Sequence, residues 1–534
     1  MPTIDTRHVR AHLIGGGIAS LATAVFLIRD GGVPGRHITI YEESGRFGGA
    51  LDGAGDPTNG YVVRGGRMIE SKYLCTYDLF DSIPTLDGGR TVTEEIMAWN
   101  RVLKTDSKAR LVRGGQPIPA PPFGLTERQI VTLEALAVTP EAILGDSSIA
   151  DRMDRTFFGT NFWLMWCTTF AFQPWHSAVE FKRYLVRFIH MVGGFNRLRG
   201  IMRTVYNQYD SMVLPLSRWL KDRGVRFEAN TEVTDLGFVH GEDGERVEAI
   251  FYRRDGVFAA MTVRPDDIVV ATLGSMTEAS SLGDMDHAPV LPGKKDGGAW
   301  SFWERIARNR PHLGNPRAFC DHADDSRWTS FTLTLRDPAL LQHILDMTGN
   351  VPGEGGLITF ADSRWLMSIV VPHQPHFIGQ PDGVQVVWGY ALDMSARGNF
   401  VDKPIGECSG REILTELLGQ LGIDDSDRRI AASTTCIPCM MPFITSQFLR
   451  RKAGDRPQVR PEGFHNLAIV GQFCEQPDDV VFTVEYSVRS AMTAAWSLLG
   501  LTRKPPQVYK AKHDPTALRD AYRALHSHGA TAGE

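Results

Sequence analysis

Val9-Arg10-Ala11-His12-Leu13-Ile14-Gly15-Gly16-Gly17-Ile18-Ala19-Ser20-Leu21-Ala22-Thr23-Ala24-Val25-Phe26-Leu27-Ile28 is the stretch that decides the fold. The apolar run Val9 to Ile14 predicts a buried strand, and the Ala/Leu-rich run Ile18 to Ile28 predicts a helix closed near Gly31-Gly32. Gly15, Gly17 and Ser20 between them match G-x-G-x-x-G/A, with serine in the last small position. The first glycine permits the tight turn, and the second lets backbone approach a pyrophosphate. The helix start then offers unpaired N–H groups and a positive dipole end to the phosphates.

Outward from that turn, Ile38-Thr39-Ile40-Tyr41 predicts the second strand of a βαβ unit, and it ends in Glu42, where a carboxylate can take hydrogen bonds from ribose hydroxyls. FAD is preferred over NAD because two more glycine segments follow. Arg46-Phe47-Gly48-Gly49 comes directly after the second strand, where FAD proteins often place a glycine pair near the pyrophosphate. Ile469-Val470-Gly471-Gln472 ends a strand ahead of a helix, where such proteins close over the ribityl chain. Each could be a plain turn taken singly; together they point to FAD.

Composition narrows the class. The 57 Lys+Arg against 62 Asp+Glu give a net charge of -5, without the basic surplus that nucleic-acid binding uses, so no such partner is expected. No apolar run reaches the roughly 18 residues of a membrane span, and the first residues lack the apolar core of a secretory signal. Seven scattered cysteines in a chain of 534 residues read as reduced thiols, so the expected location is the cytoplasm.

Residues 151–220 read as helical and aromatic, with Phe157, Phe162, Trp163, Trp166, Phe170 and Phe172 among them. The alternating runs Val225–Ala229, Val247–Tyr252 and Ile268–Ala271 suggest strands returning to the first sheet. Those at Trp328–Leu335, Trp365–Val371 and Val384–Tyr390 suggest a second, antiparallel one. Asn466–Gly471 predicts another buried strand and Thr483–Leu499 a helix. The fold class expected is α/β: a Rossmann-like FAD-binding domain, an inserted mixed-sheet substrate domain and a helical C-terminal segment. The expected parts are 1–150 (first FAD-binding part), 151–220 (helical substrate-binding region) and 221–290 (return to the FAD sheet). After them come 291–440 (substrate domain), 441–500 (closing FAD-binding part) and 501–534 (helical tail).

Longer strings carry a family resemblance. Arg64-Gly65-Gly66-Arg67-Met68-Ile69-Glu70, Asp78-Leu79-Phe80-Asp81-Ser82-Ile83-Pro84 and Thr168-Thr169-Phe170-Ala171-Phe172-Gln173-Pro174-Trp175-His176-Ser177 lead. Tyr206-Asn207-Gln208-Tyr209-Asp210, Gly274-Ser275-Met276-Thr277, Met440-Met441-Pro442-Phe443 and Gly471-Gln472-Phe473 follow in order. By these strings, across almost its whole length, the chain resembles the oleate hydratases, formerly called myosin-cross-reactive antigens. The resemblance implies an FAD-containing hydro-lyase that adds water to a cis double bond of an unsaturated fatty acid, oleate giving 10-hydroxystearate. The flavin is needed there without net redox. Protonating an alkene carbon creates carbocation character, so a dry pocket with pre-aimed dipoles should matter most. The resemblance places the acid at Tyr184 and adds Gly65, Gly66, Arg67, Gly274 and Ser275 to the cofactor contacts. It puts Gln208, His376 and the positions of Val370 and Pro372 at the fatty-acid head group.

Two departures stand out. Most relatives, though not every subgroup, carry a water-activating glutamate where this chain has Met68, and a thioether accepts hydrogen bonds only weakly. Either Glu70 organises the water indirectly, or backbone and flavin atoms hold it and the reaction relies on Tyr184. Relatives also carry Thr and Asn at the positions of Val370 and Pro372. Their loss removes roughly 1 kcal/mol or more per hydrogen bond, which predicts a shifted chain-length preference or tolerance of other head groups. The rival readings are a flavin-dependent lipid oxidoreductase and a non-catalytic fatty-acid-binding flavoprotein.

Other features are set aside. Cys436-Ile437-Pro438-Cys439 reads as loop cysteines near the core, and His176, His190 and His376 show no ligand spacing with acidic residues, so no metal is expected. Asp478-Asp479 reads as a cap ahead of the helix at Thr483. In the tail, Arg503, Lys504, Lys510, Lys512, Arg519 and Arg523 surround Leu518, Tyr522 and Leu525 of a helix Pro515–Ser527. That helix either lies on an anionic membrane or packs on the body. Relatives are often dimers helped by an N-terminal arm; this chain starts almost at the first strand, which favours a monomer over a homodimer.

Overall fold

The computed structural model describes residues 5–241, 244–294, 298–424, 428–511 and 514–526. Strand β1 (Ala11–Ile14), helix α1 (Ile18–Arg29) and strand β2 (Ile38–Tyr41) form the expected βαβ unit. With β3 (Arg226–Glu228), β4 (Ile268–Thr272) and β5 (Leu467–Val470) they build a five-stranded parallel sheet in the order β5-β4-β1-β2-β3. The chain moves to one side of β1 through β2 and returns on the other through β4. That reversal leaves a crevice beyond the carboxyl ends of the strands, the usual ligand position in such sheets.

Two helices cover one face. The buried α1 packs on α4 (Val484–Leu498), where Phe26 meets Trp496 edge-on at 6.5 Å and the Trp496 indole donates to Asp30 Oδ2 at 2.8 Å. Between the halves of the sheet the chain inserts the aromatic helices α2 (Asn161–Phe170) and α3 (Ala178–Phe188).

The second sheet has eight strands and is mixed. Its members run from Ser281–Leu282 through Thr434–Met441, Trp328–Leu335, Gln385–Ala391, Met367–Val370 and Leu357–Phe360 to the hairpin Leu111–Arg113 and Gln116–Ile118. Only the Leu357–Phe360 and Leu111–Arg113 neighbours pair in parallel. Alternation along each strand divides its two faces. Phe331, Leu333, Leu335, Met367, Ile369 and Val387 enter a separate apolar core. Trp328, Val370, Trp388 and Tyr390, on the other face, line a cavity shared with the parallel sheet.

Several expectations are corrected. The strand containing Val247–Tyr252 does not return to the parallel sheet; Gly244–Arg254 is the middle of a separate antiparallel sheet with Thr231–Gly241 and Val257–Thr262. Its alternation gives the strand but not the partner. Cys436 and Cys439 lie in the buried strand Thr434–Met441, not in a loop, and residues three apart on a strand point to opposite faces. The cap of α4 is Thr483, whose side chain accepts from Tyr486 N–H at 3.2 Å. Asp479 instead forms a buried ion pair with Arg489 at 2.8 Å, and Asp478 pairs with Lys510 at 2.6 Å. In the tail helix α5 (Pro515–Leu525), Ala517 and Ala521 are the buried residues while Leu518 and Tyr522 are exposed, the reverse of the expected apolar face. Ser527 and Lys512 lie outside the described residues.

Candidate functional site

A cavity of about 570 Å³ opens at the carboxyl ends of β1, β2, β4 and β5, inside the range of roughly 300–1,000 Å³ typical of ligand and cofactor sites. Its wall contains Gly15, Gly16, Gly17, Glu42, Gly274 and Gly471 on the sheet side.

The glycine turn is built for close approach. Gly15 has φ +91 and its N–H donates to Tyr41 O at 2.9 Å, a left-handed turn that an L side chain rarely adopts. Gly48 N–H donates to Gly16 O at 2.8 Å, and a Cβ on Gly49 would stand 3.0 Å from Gly17 Cα. The two glycine loops therefore close against each other at backbone distance. Gly17 caps α1 with no side-chain bond, leaving first-turn N–H groups facing the cavity. Glu42 Oε2 accepts from Gly16 N–H at 2.7 Å and Oε1 from Ser44 N–H at 2.9 Å. Burial nonetheless pushes the Glu42 carboxyl above its usual range. Ser20 does not reach the cavity; fully buried, its hydroxyl lies 3.4 Å from Thr272 Oγ1 and joins α1 to β4.

Arg46, Gly49, Gly65, Gly66, Arg67, Met68, Glu70 and Ser275 also line this cavity, whereas Gly48 supports it from behind through a bridge to Gly17. Arg46 lies over the Tyr209 ring at 3.9 Å. Arg67 gives one hydrogen bond, to Ala50 O at 3.1 Å, and its buried Nε has no partner. Burial pushes this guanidinium down to about 10, so it stays charged at neutral pH. The buried indole N–H groups of Trp328 and Trp388 in the same wall are also without partners. A wall with such orphaned donors is one that a polar ligand completes.

Tyr184 reaches the cavity from α3 inside a cage of Phe170, Phe172, Phe188 and Phe448, with ring centroids 5.0 to 5.6 Å away. Its hydroxyl donates to Val481 O at 2.6 Å. Burial pushes the phenol well above its ordinary value, so it holds its proton at any working pH. The Val481 carbonyl sits on a loop pinned by Gln472, which donates to Thr483 O at 2.9 Å and accepts from Phe482 N–H.

Met68 and Glu70 lie side by side in sequence but differ in state. Met68 offers the cavity a thioether. The Glu70 carboxylate is 2% exposed, 2.8 Å from Arg187 and 3.5 Å from His190. His190 thus does meet an acidic residue, a contact the spacing concealed. Although burial alone would raise the Glu70 carboxyl, His190 and Arg187 hold it below the usual range.

The four head-group residues gather elsewhere. Gln208, Val370, Pro372 and His376 line a second, small cavity of about 50 Å³. Leu51, Asp52, Gly65, Gly66, Arg67, Gln208, Val370 and Trp388 belong to both walls, so the small cavity adjoins the large one. Burial, with Arg203 nearby, pushes His376 down to about 3 and keeps its ring neutral. Asp52 and Arg203 are wall residues that sequence reasoning missed. Asp52 Oδ1 is buried without a partner, while Oδ2 accepts from Arg64 at 2.6 Å.

Among the described residues, the group with metal-ligand geometry is Glu304, Cys320 and Asp321, and the Lys294 ammonium already lies 2.5 Å from Glu304. No described helix is long and apolar enough to cross a membrane.

Comparison with known proteins matches residues 8–496 to a family model described as the MCRA family. An oleate hydratase of Streptococcus pyogenes serotype M49 (strain NZ131) is 38% identical over 526 residues, covering 96% of this chain and 89% of that protein. A linoleate hydratase of Lactiplantibacillus plantarum is 34% identical over 537 residues, covering 92% and 94%. Among solved structures, a cyclohexylamine oxidase from Brevibacterium oxydans IH-35A superposes with TM-score 0.52 at 13% identity, covering 93% of this chain and 99% of that one. An oxidoreductase from Methanosarcina mazei gives 0.51 at 12%, covering 91% and 99%. At such identity the likeness is one of fold.

Proposed function

The chain belongs to the MCRA family, and from that premise we propose that it is an FAD-dependent hydro-lyase adding water to a cis double bond of an unsaturated fatty acid. The observation that carries the reading is Tyr184: a protonated phenol in an aromatic, water-poor cage on the wall of the cavity that the glycine turns also line. The two hydratase relatives support the substrate class.

The residues present fit FAD. Gly15, Gly17 and the start of α1 would receive the pyrophosphate, Gly48 and Gly49 backing that cradle. Glu42 would meet the ribose, with Ser20 packing the helix behind. Arg46, Gly65, Gly66, Arg67, Gly274, Ser275 and Gly471 would line the rest of the cofactor. When bound, FAD would supply an electrostatic field to the reaction, which would draw no net electrons from it. Gly17→Val tests this assignment. A Cβ there meets nothing closer than Gly49 Cα at 3.9 Å, so the chain still folds while the added methyls occupy the phosphate's approach. Overpacking of about 1–3 kcal/mol predicts FAD affinity lower by on the order of 10–100-fold. Flavin absorbance of the purified variant reads this directly; unchanged flavin content would remove Gly17 from the cradle.

In the reaction, the Tyr184 hydroxyl gives its proton to one alkene carbon, a water oxygen bonds to the other, and a proton from that water restores the phenol. The product is an alcohol, with no oxidant or reductant used. For this transfer the hydroxyl must leave Val481 O and turn toward the chain. Met68 cannot deprotonate the water, and Glu70 is held by Arg187 and His190. The water is therefore positioned by wall dipoles and captured by an electron-poor carbon, with Glu70 acting only through its field.

The division at 150, 220, 290, 440 and 500 is part of this proposal, with the hairpin 111–118 assigned to the substrate part on its sheet membership. Seven unpaired, buried cysteines suit a reducing, cytoplasmic setting. Exposed Leu518 and Tyr522 beside Arg519 and Arg523 suit a peripheral membrane contact.

The test is mass spectrometry of products from oleate and the FAD-loaded protein in oxygen-18 water. Labelled hydroxystearate formed without substrate-driven flavin turnover is the expected result. Oxygen taken from dioxygen would replace the reading with a redox one, and binding without product across several unsaturated acids would replace it with a lipid-binding one.

A further inference from the structure

Arg203 follows the short strand Ile201–Met202, and its backbone is clamped by one side chain. Its N–H donates to Asn100 Oδ1 at 2.9 Å, and Asn100 Nδ2 donates to Arg203 O at 2.7 Å. The guanidinium lines the small cavity and not the large one. Its Nε and Nη2 are buried with no hydrogen-bond partner. Among the described residues no carboxylate reaches it, and burial alone pushes the group down to about 10, leaving it charged at neutral pH. A buried cation without a counter-charge is costly, and structures that keep one supply the anion from elsewhere.

Its neighbours point the same way. The Gln208 amide has neither its Oε1 nor its Nε2 paired. His376, held neutral, adds hydrogen-bonding capacity without charge. The other cation of this wall, Arg67, belongs equally to the large cavity and is already bonded to Ala50 O. Asp52 brings the wall's carboxylate, and Arg64 holds it at 2.6 Å. The space of about 50 Å³, against about 570 Å³ for the large cavity, suits a head group and not an acyl chain.

We propose that Arg203, together with the Gln208 amide, anchors the carboxylate of the fatty acid in the small cavity. The acyl chain then runs past Val370 and Trp388 into the large cavity, toward Tyr184. This rests on the hydratase reading and adds a specificity to it. Arg203 supplies the charge where Val370 and Pro372 have removed hydrogen bonds, so the enzyme prefers the free acid over the ester or the alcohol. The sequence alone suggested a shifted chain-length preference or tolerance of other head groups; a buried unpaired guanidinium points away from the second, because a neutral head group would leave it unpaired.

The experiment compares wild-type holoenzyme with Arg203→Met and Arg203→Lys, using oleate, methyl oleate and oleyl alcohol. Turnover gives kcat and KM, and calorimetry gives binding whether or not turnover occurs. A hydrogen-bonded charge predicts KM and Kd for oleate raised about 10–100-fold in Arg203→Met, with kcat changed far less. Methyl oleate should be unaffected and Arg203→Lys should recover part of the loss. Equal binding of acid and ester by the wild type, or of oleate by wild type and Arg203→Met, overturns the anchor. If Arg203→Met loses flavin or its circular dichroism, Arg203→Lys and the wild-type acid-over-ester ratio decide alone. Should the wild type bind oleate over its ester, lose that preference in Arg203→Met and hydrate nothing, the anchor stands and the hydratase reading falls.

Discussion

Tyr184→Phe is expected to lower the rate of hydration by on the order of 10²–10⁴-fold, the span a positioned general acid contributes, with flavin content and fold retained. Phenylalanine keeps the aromatic contacts with Phe170, Phe172, Phe188 and Phe448 and removes one hydrogen bond, to the Val481 carbonyl. A neutral hydrogen bond of that kind contributes about 1 kcal/mol net, so the variant stays folded. The rate carries the effect because the phenol inside that aromatic cage is removed, while Tyr73 and Tyr390, whose phenols burial also raises, stay in the same wall as internal controls. The pH dependence has a definite sign. Burial moves the phenol upward, away from neutrality, so the protonated, competent form persists and no alkaline loss of kcat/KM arises from Tyr184 below about pH 10. Product formation from oleate by both proteins, followed by mass spectrometry across pH 6–9, checks this. A Tyr184→Phe rate within threefold of the wild type would take the acid's role away from Tyr184.

The βαβ start was legible because its signals are local. Strand, glycine turn, helix and acidic strand end fall within Val9–Glu42, and each is set by neighbours a few residues away. The pairing of strands was not. Val247–Tyr252 has the alternation of a strand, but periodicity says nothing about which sheet receives it, and it joins Thr231–Gly241 and Val257–Thr262. The tail helix misled for a related reason: Leu518 and Tyr522 form an apolar pair, yet the smaller Ala517 and Ala521 permit the close approach to 189–197. The site divides in the same way. Gln208 and His376 could be named only through resemblance, since 168 residues separate them, and the Asn207 amide bonded to His376 O at 3.0 Å is what brings their segments together. Arg203 gave no signal, because an arginine between a strand and a loop reads as a surface charge until its burial is seen.

Glu180→Gln is expected to destabilise the protein by about 3–5 kcal/mol, the cost of breaking a buried ion pair from one side. The carboxylate is fully buried on α3, with Arg451 at 3.0 Å and Arg456 at 2.9 Å. Burial alone would raise its affinity for a proton; Arg456, Arg451 and Arg183 outweigh that and hold it at about 2. Glutamine keeps the shape but leaves three guanidinium groups with only Glu475 and Glu141 nearby. The sign with pH follows from the lowered value. A carboxyl that titrates at 4.5 when free and at about 2 when folded stabilises fully above the free value, by about 3 kcal/mol at 1.4 kcal/mol per unit, and loses that as pH falls through the folded one. Urea unfolding of wild type and Glu180→Gln at several pH values should therefore show a gap that is wide at pH 6–7 and shrinks between about pH 4 and pH 2. A gap constant over that range would reduce Glu180 to packing. The consequence reaches the site because Glu180 and Tyr184 are four residues apart on one helix face. The ion cluster that holds Glu180 thereby fixes the turn that aims the phenol. At neutral pH a folded Glu180→Gln should also hydrate more slowly without any change in flavin content, and that loss should exceed its loss of substrate affinity.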